Sequence, residues 1–224
     1  IYDFVESYKE NCEKTAGKGL MCMFSGNHDV DRLARHLHGD ELKVAFAFIL
    51  SMPGAPFIYY GDEIGMRYVE GLKSVEGGYN RTGSRSPMQW DDSTNAGFSS
   101  APASDLYIAM DPDKDRPTAK KEMAAPDSLY HEVKKLIRIR QSHKALQSRG
   151  KITFVYAEKN AYPLAYIRED GDEKILVIIN AAAEAKTFAC DAEPKEAIYN
   201  FGAAAEAKNG KITVPAQSAG FYRI

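Results

Sequence analysis

Apolar residues near the start of the chain recur first at helical spacing and then without interruption. Val5, Tyr8 and Cys12 lie three or four residues apart, as they would on one face of an amphipathic helix. After a break that contains two glycines, residues 20–24 are all apolar. Such a run predicts a strand that is covered on both faces, with Cys22 in the core.

The same order of elements follows once more. Residues 41–52 are rich in Ala and Phe and predict a second helix, which Pro53 closes, and the apolar run 57–60 predicts a second strand. Helix, strand, helix, strand is the alternation of a parallel sheet with helices packed against it. The segment 61–126 then carries many Gly, Pro, Ser and Asp residues with little periodicity, and a connection of this length indicates a functional loop.

Beyond this loop the pattern changes from helical to β. Asp127 is suited to cap a helix that has one apolar face. From Lys151 onward, short segments rich in β-forming residues alternate with turn sequences that contain Asn, Asp and Gly, which predicts an antiparallel β-sandwich. We therefore predict two domains, one over 1–148 and one over 149–224.

Composition narrows the range of partners. The 224 residues include 29 basic and 31 acidic side chains, so no excess of positive charge is available for nucleic acid, and we predict no such partner. No apolar run approaches the roughly 18 residues of a membrane span, so we predict no membrane partner. Three scattered cysteines favour a reducing compartment, the cytoplasm. The chain begins inside a predicted helix without a starting Met, which suggests a piece of a longer protein.

A polar motif follows the first predicted strand. Asn27, His28 and Asp29 come just after the apolar run 20–24. In a parallel barrel the loops at the carboxyl ends of the strands converge on one pocket, so His28 and Asp29 are candidate site residues. The alternative is an ordinary loop turn, because Asn and Asp side chains readily bond their own backbone.

Three separated segments, in this order, resemble the carboxyl-terminal part of the α-amylase family of glycoside hydrolases. They are 24–29, 54–66 and 85–91, the last of which reads Arg-Ser-Pro-Met-Gln-Trp-Asp. Within that family the chain is most similar to the α-glucosidase and oligo-1,6-glucosidase branch. The resemblance continues through 95–99, and the family has a small β domain where the segments after Lys151 lie, so it covers essentially the whole chain.

This resemblance implies a fold. The catalytic domain of the family is a barrel of eight β/α units, and by order the runs 20–24 and 57–60 resemble its seventh and eighth strands. We therefore expect an α+β fragment, with the last two β/α units of a TIM (β/α)8 barrel over 1–148 and the antiparallel β-sandwich over 149–224. A truncated barrel leaves strand edges unpaired, so self-association is expected as well.

The resemblance also implies roles for four residues. Asp29 stabilises the oxocarbenium-like transition state, and His28 donates a hydrogen bond to the same glucosyl unit. Arg85 binds the terminal glucose. Arg32 either contacts the sugar on the leaving-group side or pairs with a carboxylate. The implied substrate is an α-linked gluco-oligosaccharide, and no cofactor is implied.

The resemblance gives the chain no complete catalytic apparatus. A retaining glycosidase needs a nucleophile and a general acid, two carboxyl groups about 5 Å apart. In the family both come from earlier strands, and no residue here matches either motif. Asp62 and Glu63 are another carboxylate pair after a strand, but neighbouring side chains point apart, so a structural hydrogen-bonding role is expected. The chain alone is predicted to be inactive.

Other groups in the long loop are assigned structural roles. Acidic residues within 111–122 follow the spacing of a calcium loop, but the position that requires Gly is Arg116, so no metal site is predicted. Trp90 is expected to pack the loop, with sugar stacking as the alternative.

Ser25 and Gly26 are small where relatives often carry bulkier groups, which leaves the shape of the sugar site open.

Three functional hypotheses follow. The first is an exo-acting α-glucosidase or oligo-1,6-glucosidase to which this chain contributes the transition-state carboxylate and the glucose-binding Arg. The second is a transglycosylase or isomerase of the same family that handles trehalose or sucrose. The third is a noncatalytic amylase-like interaction domain. The combination of His28, Asp29 and Arg85 favours the first over the third.

Overall fold

The computed structural model describes residues 1–15, 17–77 and 80–224. Its first four elements follow the predicted order of helix, strand, helix and strand. They are α1 (Tyr2–Thr15), β1 (Cys22–Phe24), α2 (Asp40–Ser51) and β2 (Ala55–Phe57). Both helices agree closely with the prediction, but β2 lies upstream of the predicted run and ends where that run begins.

β1 and β2 pair with each other. The amide of Ala55 donates to the carbonyl of Met21 at 2.8 Å, and the amide of Ser25 donates to the carbonyl of Phe57 at 2.9 Å. Because the paired positions advance together along both strands, the pairing is parallel, as the alternation of elements predicted. The residues that follow the two strands therefore lie at the same edge.

The predicted burial of the first strand is wrong. Cys22 is exposed and is not a core residue. Phe24 exposes 47% of its surface and Phe57 exposes 59%. A continuous apolar run lies in a core only where other elements cover both faces of the strand, and in the described part of the chain β1 has β2 as its one strand neighbour.

The apolar residues after Phe57 turn away from the sheet instead of extending it. The amide of Asp62 donates to the carbonyl of Tyr59 at 3.0 Å, which closes a turn. Gly61, inside this turn, has a φ of 83°, and a Cβ there would lie 2.2 Å from the Met66 sulfur. Glycine adopts this left-handed conformation without strain and leaves room for the Met66 side chain.

The segment 61–126 contains little regular structure, as predicted, although Gly78 and Tyr79 lie outside the described residues. Four 3-10 turns and the short helix α3 occur in it: Asp62–Ile64, Thr82–Arg85, Thr94–Gly97, Ala103–Asp105 and α3 (Ala119–Ala124). The helix α4 (Leu129–Ser142) follows. Ser128 rather than Asp127 is the observed cap, because its hydroxyl accepts a hydrogen bond from the amide of His131 at 3.3 Å.

The remainder of the chain forms two antiparallel sheets, in the orders β3-β4-β5-β10-β7 and β6-β9-β8. The strands are β3 (Lys151–Tyr156), β4 (Leu164–Asp170), β5 (Glu173–Asn180), β6 (Lys186–Ala189), β7 (Ala197–Phe201), β8 (Glu206–Lys208), β9 (Lys211–Val214) and β10 (Ser218–Arg223). Antiparallel pairing is confirmed. β8 was not predicted, because its three residues are exposed and lack an apolar alternation.

Both sheets contribute to one apolar core. Its buried members are Ala165, Leu176, Ile178, Phe188, Ile212, Val214 and Tyr222. Five aliphatic side chains and two aromatic rings removed from water supply the main driving force for packing the sheets.

By compactness the chain divides into two units. One consists of residues 1–23, 43–56 and 135–224, and the other of 24–42 and 57–134. The first contains α1 and the antiparallel sheets, and the second contains the long loop. The domain bounds 1–148 and 149–224 stay a prediction. Within the described ranges, no helix combines the length and apolar character needed to cross a membrane.

In the first unit a buried arginine fixes the segment that leads into β2. Arg140 of α4 donates to the carbonyls of Leu50, Met52 and Gly54 at 2.8, 2.7 and 2.9 Å. The last carbonyls of a helix have no partner within the helix, and here one guanidinium bonds to that of Leu50 and to two carbonyls just beyond the end of α2. Burial lowers the pKa of Arg140 from its ordinary value.

Candidate functional site

The loop after β1 is shaped by Asn27. Its side-chain oxygen accepts hydrogen bonds from the amides of Asp29 at 2.7 Å and Val30 at 3.1 Å. This is an Asx turn, in which a short polar side chain replaces a backbone partner. The turn therefore uses Asn27 and leaves the side chains of His28 and Asp29 exposed to solvent.

Asp29 lies among three basic side chains. Its Oδ1 is 3.0 Å from Arg85 Nη2 and 2.9 Å from Arg81 Nη1, and its Oδ2 is 3.3 Å from His28 Nε2. Arg85 Nε also donates to the carbonyl of His28 at 2.8 Å. The predicted residues Asp29, His28 and Arg85 are thus brought together, and 46% of the Asp29 side chain remains accessible.

Arg81 was missed by the sequence analysis. It precedes the 3-10 turn Thr82–Arg85, and this turn brings it to the same carboxylate as Arg85. The turn is fixed from both sides. Ser84 Oγ donates to the carbonyl of Val30 at 2.7 Å, and a Cβ on Gly83 would lie 2.3 Å from the carbonyl oxygen of Val69. A lone Arg in a polar loop carries no sequence signal for this role.

Arg32 is buried and paired with a carboxylate, which is one of the two possibilities left open by the sequence. Its Nη1 lies 2.8 Å from Asp62 Oδ1 and donates to the carbonyl of Tyr60 at 2.8 Å. Its guanidinium carbon lies 4.7 and 4.8 Å from the ring centres of Tyr59 and Tyr60. The faces of these rings attract a cation, and none of the Arg32 side chain is accessible to solvent.

Ser25 and Gly26 are small because Asp62 lies against them. Ser25 Oγ donates to Asp62 Oδ2 at 2.7 Å and accepts a hydrogen bond from the amide of Tyr59 at 3.0 Å. A Cβ on Gly26 would lie 2.9 Å from Asp62 Oδ2. Burial raises the pKa of Asp62, against the opposing effects of Ser25 and Arg32. Asp62 therefore has the structural role that was expected.

A cleft of about 520 Å³ adjoins Arg85. It is lined by Tyr60, Glu63, Arg85, Pro87, Met88, Trp90, Phe98, Leu106, Tyr107 and Ile108. Burial raises the pKa of the Glu63 carboxyl. Trp90 is 52% exposed, so its side chain is not the buried packing anchor that was expected. The Trp90 backbone holds the loop, because its amide donates to the Ala96 carbonyl at 2.8 Å and its carbonyl accepts from the Lys120 amide at 2.9 Å.

The acidic residues within 111–122 bond to the loop itself. Asp111 Oδ2 and Asp113 Oδ2 lie 3.3 and 2.9 Å from the guanidinium of Arg67. Asp113 Oδ1 accepts a hydrogen bond from the amide of Asp115 at 2.9 Å. This bond, together with Arg67, holds the pKa of Asp113 below its ordinary value. The cluster is explained by turn formation and by Arg67.

Residues 1–149 match the family model for the alpha amylase catalytic domain. The chain belongs to the α-amylase family. This confirms the family recognised from the three sequence segments.

Three proteins with known names illustrate what the chain is similar to. The chain is 29% identical over 230 residues to glucan 1,6-alpha-glucosidase of Streptococcus pneumoniae, with 88% of this chain and 42% of that protein covered. It is 30% identical over 188 residues to the amino acid transporter heavy chain SLC3A1 of Homo sapiens, with coverages of 80% and 25%. The crystal structure of trehalulose synthase MutB from Pseudomonas mesoacidophila superposes with a TM-score of 0.84 at 26% identity, with coverages of 99% and 46%.

The chain spans less than half the length of each of these relatives. The first is named as a glucosidase that acts on 1,6 linkages, in agreement with the predicted branch. The other two are named as a heavy chain of an amino acid transporter and as a trehalulose synthase.

Proposed function

We propose that this chain is part of a retaining α-glucoside hydrolase of the exo-acting α-glucosidase or oligo-1,6-glucosidase type. It contributes Asp29 as the transition-state-stabilising carboxylate, with His28 and Arg85 as substrate-binding residues. The observation that carries the proposal is the contact of Asp29 with both His28 and Arg85, at 3.3 and 3.0 Å, on an accessible surface. The substrate is an α-linked gluco-oligosaccharide.

The chemistry follows from the charges. Glycoside cleavage develops positive charge on the sugar ring, and a fixed carboxylate stabilises that charge. Arg81 and Arg85 hold Asp29 Oδ1 in place in the free protein. When a glucose occupies the site, its hydroxyl groups replace part of these contacts, with Arg85 as donor. Arg32 is buried against Asp62, holds the turn that follows β2, and does not bind sugar.

The architecture that fits this function is the end of a TIM (β/α)8 barrel followed by a β-sandwich, with domains over 1–148 and 149–224. The parallel pairing of β1 with β2, each preceded by a helix, supports the barrel assignment. The apolar core shared by the two antiparallel sheets supports the sandwich. We retain the cytoplasm as the expected compartment.

Bond cleavage requires two carboxyl groups beyond Asp29. Asp62 is not one of them, because it is buried against Arg32 and Ser25. We therefore propose that the nucleophile and the general acid come from other parts of the complete protein. The 224 residues alone then bind α-glucosides without hydrolysing them.

Saturation-transfer NMR with isomaltose and maltose tests this proposal on the 224-residue chain. We expect binding that is lost in Asp29→Ala and in Arg85→Ala, and no turnover of either sugar. Asp172→Ala is the matched control, because this exposed carboxylate lies in the turn between β4 and β5. Binding that persists in both site variants, or hydrolysis that disappears in Asp29→Asn, contradicts the proposal.

The similarity to trehalulose synthase supports a second candidate, a sugar isomerase or transglycosylase. It shares the proposed role of Asp29 and differs in the acceptor of the glucosyl unit. Products formed from sucrose by the complete protein distinguish the two, since a hydrolase releases glucose and fructose and an isomerase releases a rearranged disaccharide. The heavy-chain relative raises a noncatalytic alternative. A noncatalytic domain has no need for His28, Asp29 and Arg85 to lie together, so their clustering favours the hydrolase.

A further inference from the structure

A second cleft, of about 300 Å³, lies where the α1–β1 connection, the start of β2 and the α4–β3 connection meet. Met21 and Gly54, which immediately precede β1 and β2, both line it. This cleft has no residue in common with the Asp29 site or with the cleft beside Arg85. Its volume is at the lower end of the range of small-molecule sites.

The charged side chains that line this cleft are both positive. They are those of Arg149 and Lys151, and both residues are exposed to solvent. Glu169 is the partner of Lys151 in the neighbouring strand, but its carboxylate lies 3.7 Å from Lys174 and it does not line the cleft. The basic cleft of Arg149 and Lys151 therefore attracts anions.

Two buried guanidinium groups lie directly behind the lining of the basic cleft. Arg168 of β4 donates through Nη2 to the carbonyl of Gly150 and through Nε to that of Lys151, both at 3.3 Å. Arg140 donates to the carbonyl of Gly54 at 2.9 Å. All three of these acceptor residues line the basic cleft, so its backbone is held in place by two cations.

Neither buried arginine has a carboxylate partner within the described part of the chain. Both donate to backbone carbonyls, among them that of Ser51 for Arg168 and that of Leu50 for Arg140. Burial lowers the pKa of Arg168 to about 10, and the charge of Arg140 nearby also lowers it. Carbonyl dipoles solvate a cation but leave its net charge in place. An anion in the basic cleft is thus attracted by four positive charges, two at its surface and two behind it.

The rest of the lining suits the organic part of a small molecule. Leu20, Met21, Pro53 and Ile152 contribute apolar surface. Gly19 keeps the basic cleft open, because a Cβ there would meet no atom within 4 Å. A free inorganic anion would leave this apolar surface unused, whereas an anion that carries an organic group would cover it.

The cations favour a phosphate group over a carboxylate. A guanidinium presents a fork of donors that matches the oxygens of a phosphate group, and an ammonium group is a compact charge that binds phosphate as well. A phosphate ester carries close to two negative charges at neutral pH and a carboxylate carries one. The attraction to the four positive charges is correspondingly stronger for the ester.

We infer that the basic cleft binds a small phosphate ester, with the phosphate group held by Arg149 and Lys151 and the organic group packed against the apolar lining. This is a binding site in addition to that of Asp29. It does not rest on the proposed function, because none of its residues takes part in sugar binding there.

Calorimetric titration of the 224-residue chain with phenyl phosphate, inorganic phosphate and benzoate tests this inference. Phenyl phosphate is expected to bind about tenfold more tightly than inorganic phosphate, which lacks the apolar group, and about tenfold more tightly than benzoate, which carries a single charge. Arg149→Gln and Lys151→Gln are each expected to weaken phenyl phosphate binding about tenfold, as the loss of one charge-assisted hydrogen bond would.

Arg138→Gln and Lys211→Gln are the matched controls and are expected to leave binding unchanged. Both residues are exposed cations, and Lys211 is the first residue of a strand, as Lys151 is. Gly19→Phe tests the site without a change of charge, because its ring is expected to fill the basic cleft and prevent binding, whereas Gly19→Ala retains it. Circular dichroism of each variant verifies that the fold is retained.

The inference is overturned if phenyl phosphate does not bind, or if its binding persists in Gly19→Phe. Equal weakening in the site and control variants overturns it as well, since net charge would then be the cause. Benzoate or inorganic phosphate binding as tightly as phenyl phosphate contradicts the assignment to a phosphate ester. None of these results bears on the binding of α-glucosides at Asp29, so the proposed function is tested separately.

Discussion

Arg32 combines complete burial of its side chain with a charge. Asp62 and the Tyr60 carbonyl each lie 2.8 Å from its Nη1. Arg32 comes three residues after Asp29, and Asp62 follows the strand β2. The ion pair therefore joins the two segments that follow the parallel strands. Removing one member leaves the other buried with an uncompensated charge.

We expect Arg32→Met to lower the free energy of unfolding by about 3 to 5 kcal/mol, because Asp62 would lose its cation in a buried position. Urea denaturation measures the change. Arg35→Met is the control, since Arg35 lies 2.7 Å from Asp31 in a partly exposed pair, with 31% and 43% of the two side chains accessible, and exposed pairs contribute about 1 kcal/mol or less. Equal losses in the two variants would refute the argument from burial.

Some of these residues were accessible to sequence reasoning and others were not. Asp29, His28 and Arg85 belong to motifs, and the structure brings them together. Arg81 belongs to no motif, and only the 3-10 turn after it brings it to Asp29. The environment of Arg32 was left open, because its spacing from Asp29 is the same whether it faces a sugar or a buried carboxylate.

At the scale of elements, Glu173, the first residue of β5, bonds to the residues that follow α4. It accepts hydrogen bonds from His143 Nδ1 at 2.6 Å and from the amide of Ala145 at 2.9 Å. Burial alone would raise the pKa of Glu173, but the bonds from Ala145 and His143 outweigh it and lower the pKa from its ordinary 4.5. The connection thus depends on the ionised carboxylate.

A lowered pKa in the folded state means that Glu173 stabilises the fold above pH 4.5, and that this contribution is lost as the pH falls through the lowered value. We expect Glu173→Gln to be less stable than the wild type near neutral pH, by about 2 kcal/mol, and to lose less stability on acidification. Denaturation midpoints at about pH 6 and about pH 3 give the comparison.

Glu169→Gln serves as the control for the loss of a carboxylate contact, because Glu169 lies 3.7 Å from Lys174 in a more exposed pair. Its stability at about pH 6 is expected to match that of the wild type, because an exposed pair contributes little. An unchanged acid dependence in Glu173→Gln would mean that other carboxyl groups cause the loss of stability.

The elements differ in how well the sequence predicts them. Helices α1 and α2 follow from apolar periodicity, which is a local property. The bounds of β2 depend on contacts distant in sequence, because Tyr59 and Tyr60 turn away to enclose Arg32. The predicted burial of β1 was wrong for a similar reason. Whether a strand is buried depends on which other elements cover it, and these are distant in the sequence.

For the whole molecule, the exposed apolar residues of the parallel strands have the largest consequence. Phe24 and Phe57 are 47% and 59% exposed at the ends of β1 and β2. Exposed apolar strands with unpaired backbone groups are templates for association with other chains. The chain also spans less than half the length of its relatives, so surfaces that another segment covers in those proteins are candidates for exposure here.

We therefore predict that the 224-residue chain self-associates through β1 and β2. Sedimentation velocity is expected to give a sedimentation coefficient that rises with concentration, and Phe57→Lys is expected to suppress this rise, because a charge on a strand edge opposes pairing. Val75→Lys provides the control, since Val75 is 71% exposed but lies outside the named strands. A monomer at all concentrations would refute self-association, and equal suppression by both variants would assign it to net charge instead of to the strands.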